Sequence, residues 1–120
     1  MKFAVLSLGL EKIAETISSE YKVDLLNSFD FDFSSYDFVV VTFELGSLGA
    51  ENFLRNFEKI KCEVLVFCTM PSSLEKILVG REQAERVLSL NFEGAIISCN
   101  FSFEEKIFAL RELINSKYEE

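Results

Sequence analysis

Histidine and tryptophan are both absent from this 120-residue chain. Without histidine there is no Ser-His or Cys-His nucleophile pair, no imidazole base and no His-containing zinc site. Catalysis would fall to carboxylates, thiols, lysine or a bound cofactor. Cysteine is scarce and odd in number: Cys62, Cys68 and Cys99 show no CxxC spacing. That argues against a disulfide framework and suits a reducing compartment, so a cytoplasmic location is expected. Positive charge is also short, with 12 Lys and Arg against 20 Asp and Glu, a net charge of −8. Such a surface repels phosphate backbones and anionic membranes, so neither is expected as a partner. It suits solubility or a basic partner protein. No apolar run approaches the ~20 residues that span a bilayer. The opening MKFAVLSLGLEK looks superficially like a signal peptide, but its apolar stretch stops at Glu11 and no small-residue cleavage site follows. It reads as a first strand. There is no internal repeat, linker or low-complexity tract.

What the chain does have is apolar material: 49% of residues, thirteen of them phenylalanine. That is enough for the core of one domain covering residues 1–120. Short apolar runs alternate with helical patterns. Strands are expected at residues 2–8 (KFAVLSL), 23–26 (VDLL), 37–43 (DFVVVTF), from Val64 to Cys68, and at 94–99 (GAIISC). The near-continuous β-branched and aromatic content of the third suits a strand covered on both faces. Leu10, Ile13, Ala14, Ile17 and Tyr21 share one helical face, as do Ala50, Phe53, Leu54, Phe57 and Ile60. A short helical stretch with Leu74, Ile77 and Leu78 is expected to break at Gly80, and REQAERVLSL to form a separate helix. The last helix, residues 103–117, should turn Phe103, Ile107, Leu110 and Ile114 inward, opened by a capping box of Ser102 and Glu105. Between the second and third strands Phe29, Phe31 and Phe33 alternate with aspartates, as in an extended edge segment with one apolar side. Partial exposure there would mark a partner protein or a homodimer.

Strand-helix alternation of this kind implies a three-layer α/β/α sandwich, with a five-stranded parallel sheet of order 2-1-3-4-5. Ligands of such sheets sit beyond the carboxyl ends of the strands. Three loops meet there. They bring Ser7 and Gly9 from the first, Thr42, Phe43, Glu44, Gly46 and Ser47 from the second, and Thr69, Met70, Ser72 and Ser73 from the third. Glu44 is a candidate acid or base there, although a lone carboxylate on a loop is usually just solvated.

The layout resembles the flavodoxin family. SLGLEKIAETI is similar to a shortened form of that family's phosphate-wrapping loop and first helix. Ser7 and Gly9 are retained, but Leu8 and Leu10 stand where the family has hydroxyls, so a phosphate finds few donors. YDFVVVTFELGSLG is similar to the family's strand and isoalloxazine loop, with Thr42 and Gly46 in matching places. No tryptophan or tyrosine is there to stack on a flavin; Phe43 takes that place if it faces the crevice. The resemblance implies FMN and electron transfer. A second, local resemblance covers residues 35–82 and is to the N-terminal domain of the large subunit of magnesium and cobalt chelatases, which insert metal into tetrapyrroles. Ser47-Leu48, Val64 to Phe67, Met70-Pro71, Leu78 and Gly80 carry it. It implies a binding or assembly module for a small planar ligand, not an enzyme on its own, because the catalytic part has no counterpart here.

The first expectation is therefore a non-catalytic small-molecule-binding or assembly module related to that chelatase domain. A reduced FMN-binding flavodoxin, and a protein-interaction domain with an empty crevice, are the alternatives. The Met-Pro turn also has a purely structural explanation. Pro71 has no N–H to continue the ladder, and Ser72 with Glu75 spells a capping box. Cys68 and Cys99, at the ends of neighbouring strands, read either as a thiol pair or as small buried hydrophobes.

Overall fold

Each core strand of this molecule serves two hydrophobic layers at once, which explains its nearly continuous apolar sequence. The computed structural model describes residues 2–118. The elements are β1 (Phe3–Ser7), α1 (Glu11–Tyr21), β2 (Asp24–Leu26), β3 (Phe38–Glu44), α2 (Leu48–Asn56), β4 (Glu63–Thr69), α3 (Ile77–Ser89), β5 (Glu93–Ile97) and α4 (Phe103–Tyr118). Every strand pair is parallel and the order is β2-β1-β3-β4-β5. This is the flavodoxin-like α/β arrangement expected from the alternation of elements. No helix among the described residues is long and apolar enough to cross a membrane.

Along β3 the side chains alternate between faces. Val39, Val41 and Phe43 join Ala50, Phe53 and Leu54 of α2 and Val87 of α3. Phe38 and Val40 join Ile13, Ala14 and Ile17 of α1 and Ile107, Leu110 and Ile114 of α4. Two helices thus cover each face of the sheet. Phe3, Phe38, Phe43, Phe53 and Phe67 are essentially fully buried, and each such burial is worth roughly 1.5–3 kcal/mol. At the other end of the strands, buried Lys117 of α4 ion-pairs with Glu63 and Glu93, which begin β4 and β5.

Several local expectations are corrected. Helix α3 does not break at Gly80; it runs from Ile77 to Ser89. A Cβ at Gly80 would lie 2.9 Å from the Cδ and Cγ of Pro71. Glycine there lets the helix lie directly on the Met-Pro loop. The Ser72–Glu75 capping box does not form: the chain enters a 3-10 turn, Leu74–Lys76, whose N-cap Ser73 makes no side-chain cap bond. The other box does form, with the Ser102 N–H donating to Glu105 at 2.9 Å and the Glu105 N–H donating to Ser102 Oγ at 3.1 Å. The aspartate-broken segment is not an extended edge. Asp32 accepts from the Ser34 N–H and closes a 3-10 turn, Phe33–Ser35. Phe33 is thereby buried and Phe31 left exposed. Phe103 is 40% exposed rather than inward. Strand β5 stops at Ile97, so Cys99 lies beyond it.

Replacing Gly80 by alanine separates helix propensity from packing. Propensity alone favours alanine by roughly 1 kcal/mol, whereas overpacking against Pro71 costs about 1–3 kcal/mol. The Gly80→Ala variant is expected to unfold at lower urea than the parent; a higher midpoint would show that the Pro71 contact yields freely.

Candidate functional site

Parallel pairing brings the carboxyl ends of the strands to one rim. Ser7 stands in register with Thr42, and Glu44 with Thr69. The three loops named from the sequence do converge there, and their polar groups turn toward each other. The Leu8 N–H donates to the Thr42 carbonyl at 2.9 Å. Thr42, fully buried, donates its hydroxyl to the Gly9 carbonyl at 2.8 Å. Ser7 Oγ lies 3.5 Å from that same carbonyl. Ser47 is the N-cap of α2: its hydroxyl accepts the Ala50 N–H at 3.2 Å and donates to the Glu44 carbonyl.

Other candidates are removed by burial or placement. Phe43 points into the core and stacks on Phe53 with ring centroids 5.3 Å apart. Thr69 is buried, its carbonyl taken by the Leu45 N–H at 2.9 Å. Met70 packs half-buried on the α2–α3 side of the sheet, and its N–H donates to the Ile97 carbonyl. Ser72 is exposed, and the Ser73 carbonyl accepts the Lys76 N–H at 3.1 Å. Gly49 shows how tightly the first and second loops meet: a Cβ on it would fall 1.8 Å from the Leu8 carbonyl oxygen. At that point the two loops are in direct contact.

Gln83 of α3 closes the rim from above. It is 4% exposed, accepts the Gly46 N–H at 2.6 Å and donates to the Ser47 carbonyl at 3.4 Å and to Glu51 at 3.3 Å. Arg86 reaches the same carboxylate at 3.2 Å. Hydrogen bonds from Arg86 and then Gln83 hold the Glu51 carboxyl below its ordinary pKa. Gln83 carries no motif in the sequence; its spacing from Gly80 by one turn is the only local sign that it faces inward.

What remains is an open depression of about 790 Å³, lined among others by Leu8, Leu10, Glu44, Leu48, Lys76 and Val79. Leu48, 89% exposed, and the exposed Lys76 project beside it, and Leu74 and Leu78 are also well exposed on the flanking segment. Among the described residues no group of three or more His, Cys, Asp or Glu side chains is placed to hold a metal. The three cysteines are free. Cys68 lies opposite Ile96 in the ladder, not beside Cys99, and burial pushes its thiol up to about 12.

No family model matches the chain, and no curated protein matches it. Among solved structures it is similar to the E. coli RcsC C-terminus, residues 700–949, which contains a linker region and a phosphoreceiver domain. That similarity has a TM-score of 0.49 and 10% identity, over 99% of this chain and 48% of that one. The chain thus spans about half the length of that structure. The chelatase-related binding module and the FMN-binding alternative are corrected on the geometry of the rim, whose donors are already engaged. The rim supplies the physical reason. A flavin phosphate needs several free N–H or hydroxyl donors, and here Leu8, Gly46, Ala50 and Thr42 spend theirs on the protein itself.

Gln83→Ala leaves the Gly46 N–H without its acceptor, while the Ser47 carbonyl keeps the Glu51 N–H, and is expected to cost about 1–3 kcal/mol in urea unfolding. Cys68 gives a pH dependence. Its folded pKa is raised from 9.0 to about 12, so the neutral thiol belongs to the folded state. Its contribution is present below pH 9.0 and is lost as pH rises toward about 12. The parent should therefore lose stability between neutral and strongly alkaline pH faster than Cys68→Val; parallel urea midpoints across that range would contradict the assignment.

Proposed function

We propose that this chain acts by protein contact, with residues 1–120 as one unit and the carboxyl rim as its docking surface. The partner it suits carries an apolar patch ringed by lysine or arginine. One observation carries this: the loops spend Thr42, Ser47 and the Gly46 N–H on bonds within the rim, while Leu48 at the rim, and Leu74 and Leu78 on the segment leading into and through the start of α3, stand 89%, 86% and 76% exposed. Contiguous exposed apolar side chains mark interaction surfaces. Glu44 lines this rim on a chain of net charge −8, which steers basic surfaces inward. Three free cysteines suit a reducing, cytoplasmic setting.

A second reading, a receiver-type signalling domain, is favoured by Glu44. It ends β3 at the rim in register with Thr69, where a carboxylate is the kind of group that accepts a phosphoryl group.

The test uses a partner recovered by cross-linking in the native cell and then reconstituted from purified components. The Leu48→Glu, Leu78→Glu double variant should keep the parent's circular dichroism and thermal midpoint. It should bind that partner about tenfold more weakly or worse, the loss expected of central interface residues. Unchanged binding would sink the rim as the docking surface. Mass spectrometry after incubation with acetyl phosphate and magnesium should show no adduct; one that disappears in Glu44→Gln would favour the second reading.

A further inference from the structure

The sheet ends on two unlike edges. Strand β2 is three residues long, and its Asp24 accepts the Tyr36 hydroxyl at 2.6 Å. Shortness and a fixed charge are ordinary protections of a sheet edge. Strand β5 has neither. Its sequence, EGAII, has no proline or lysine, and its one charge, Glu93, is turned to Lys117. The Ile97 carbonyl is taken by Met70 on the β4 side. Backbone polar groups alternate along a strand, so those of Ala95 face β4 as well. The N–H and C=O groups of Gly94 and Ile96 then face outward.

We propose that two copies of this chain join through β5, antiparallel about a two-fold axis at Ala95, and form one continuous sheet. Gly94 and Ile96 of one copy exchange hydrogen bonds with Ile96 and Gly94 of the other, and Ala95 meets its own mate. In that register Ala95 forms the closely spaced, non-hydrogen-bonded pair, where its small side chain permits the approach.

The edge is also complementary to itself in shape. A Cβ on Gly94 would lie 2.0 Å from the Val66 carbonyl oxygen, so this position stays bare. Beside it, between α3 and β5, runs a groove of about 500 Å³ lined by Ala84, Val87, Leu88, Phe92 and Ile96 as well as Gly94. Ile96 packs on this same side of the sheet. The two-fold sets the second copy's Ile96 opposite Gly94, so each copy presents a projecting side chain and a gap that match the other's gap and side chain. On the other face the half-buried Ala95 and Ile97 join the layer under α4, while the exposed Phe101 and Phe108, 42% and 61%, share a shallow depression with Glu104, Glu105 and Arg111. Glu93 faces Ile97 of the second copy, not its own mate, so no like charges are opposed in the ladder.

Each copy carries −8, so the two repel at long range and salt screens that repulsion. Self-association should therefore strengthen with salt, whereas docking of a basic partner at the rim should weaken. This surface does not depend on the rim.

Analytical ultracentrifugation of the full chain, across concentration at low and high salt, tests the proposal. The parent should shift from monomer to dimer with concentration, and at lower concentration in high salt. Hydrogen exchange at the Gly94 and Ile96 amides should slow as the dimer forms. Ile96→Lys and, away from the strand backbone, Leu88→Glu should each weaken dimerisation about tenfold or more, as expected for a central interface side chain. Should Ile96→Lys fail to fold, Leu88→Glu, whose parent residue is 67% exposed, decides the matter. A parent that stays monomeric at every salt, or a dimer that Leu88→Glu leaves intact, would overturn it.

Discussion

The parallel pairing of β3 with β4 is the constraint on which the rest depends. Seven registered pairs, from Phe38 with Glu63 to Glu44 with Thr69, join them. Their side chains feed both hydrophobic layers, so α1 with α4, and α2 with α3, must lie on opposite faces. Because the strands run the same way, the loops that follow β1, β3 and β4 open at one end. Every feature of the rim follows from this, as does the opposite end, where Lys117 gathers Glu63 and Glu93.

The rim illustrates how a superfold can retain its topology without the crevice its layout suggests. Two contacts are decisive. Gly49 lets the first turn of α2 press on the Leu8 carbonyl, and Gly80 lets α3 press on Pro71. The second brings Gln83 down onto the Gly46 amide. The second contact thereby occupies the Gly46 N–H, a donor that a phosphate would need. Leu48, Leu74 and Leu78 are left exposed.

Charge and apolar exposure divide the molecule into two kinds of surface. At the rim, exposed leucines sit among carboxylates and one lysine, Lys76. At β5 the outward groups are backbone amides, an exposed glycine and a half-buried isoleucine, with Glu93 held by Lys117. In the roles proposed for them, the first surface would answer to opposite charge and the second to shape and hydrogen bonding, so salt would act on them in opposite directions.

By itself the sequence determined the architecture. The alternation of doubly apolar strands with one-faced helices dictates a parallel sheet with helices on both sides, and Ser102 with Glu105 marks the start of α4 because a capping box needs only four consecutive residues. It also placed Ser7, Thr42, Glu44 and Thr69 at one rim, since strand ends are local features. Tertiary structure alone decided whether that rim is open. Nothing local distinguishes a Phe43 that faces a crevice from one stacked on Phe53, or a Gly80 that ends a helix from one that admits Pro71. Ser72 and Glu75 have the spacing of a cap, yet the packing of α3 on the loop shifts the helix start to Ile77. Gln83 became the hub of the rim only because α3 crosses the loop after β3. These outcomes depend on which distant atoms share a few ångströms of space, and that distance is set by the sheet's assembly, not by neighbours in the chain.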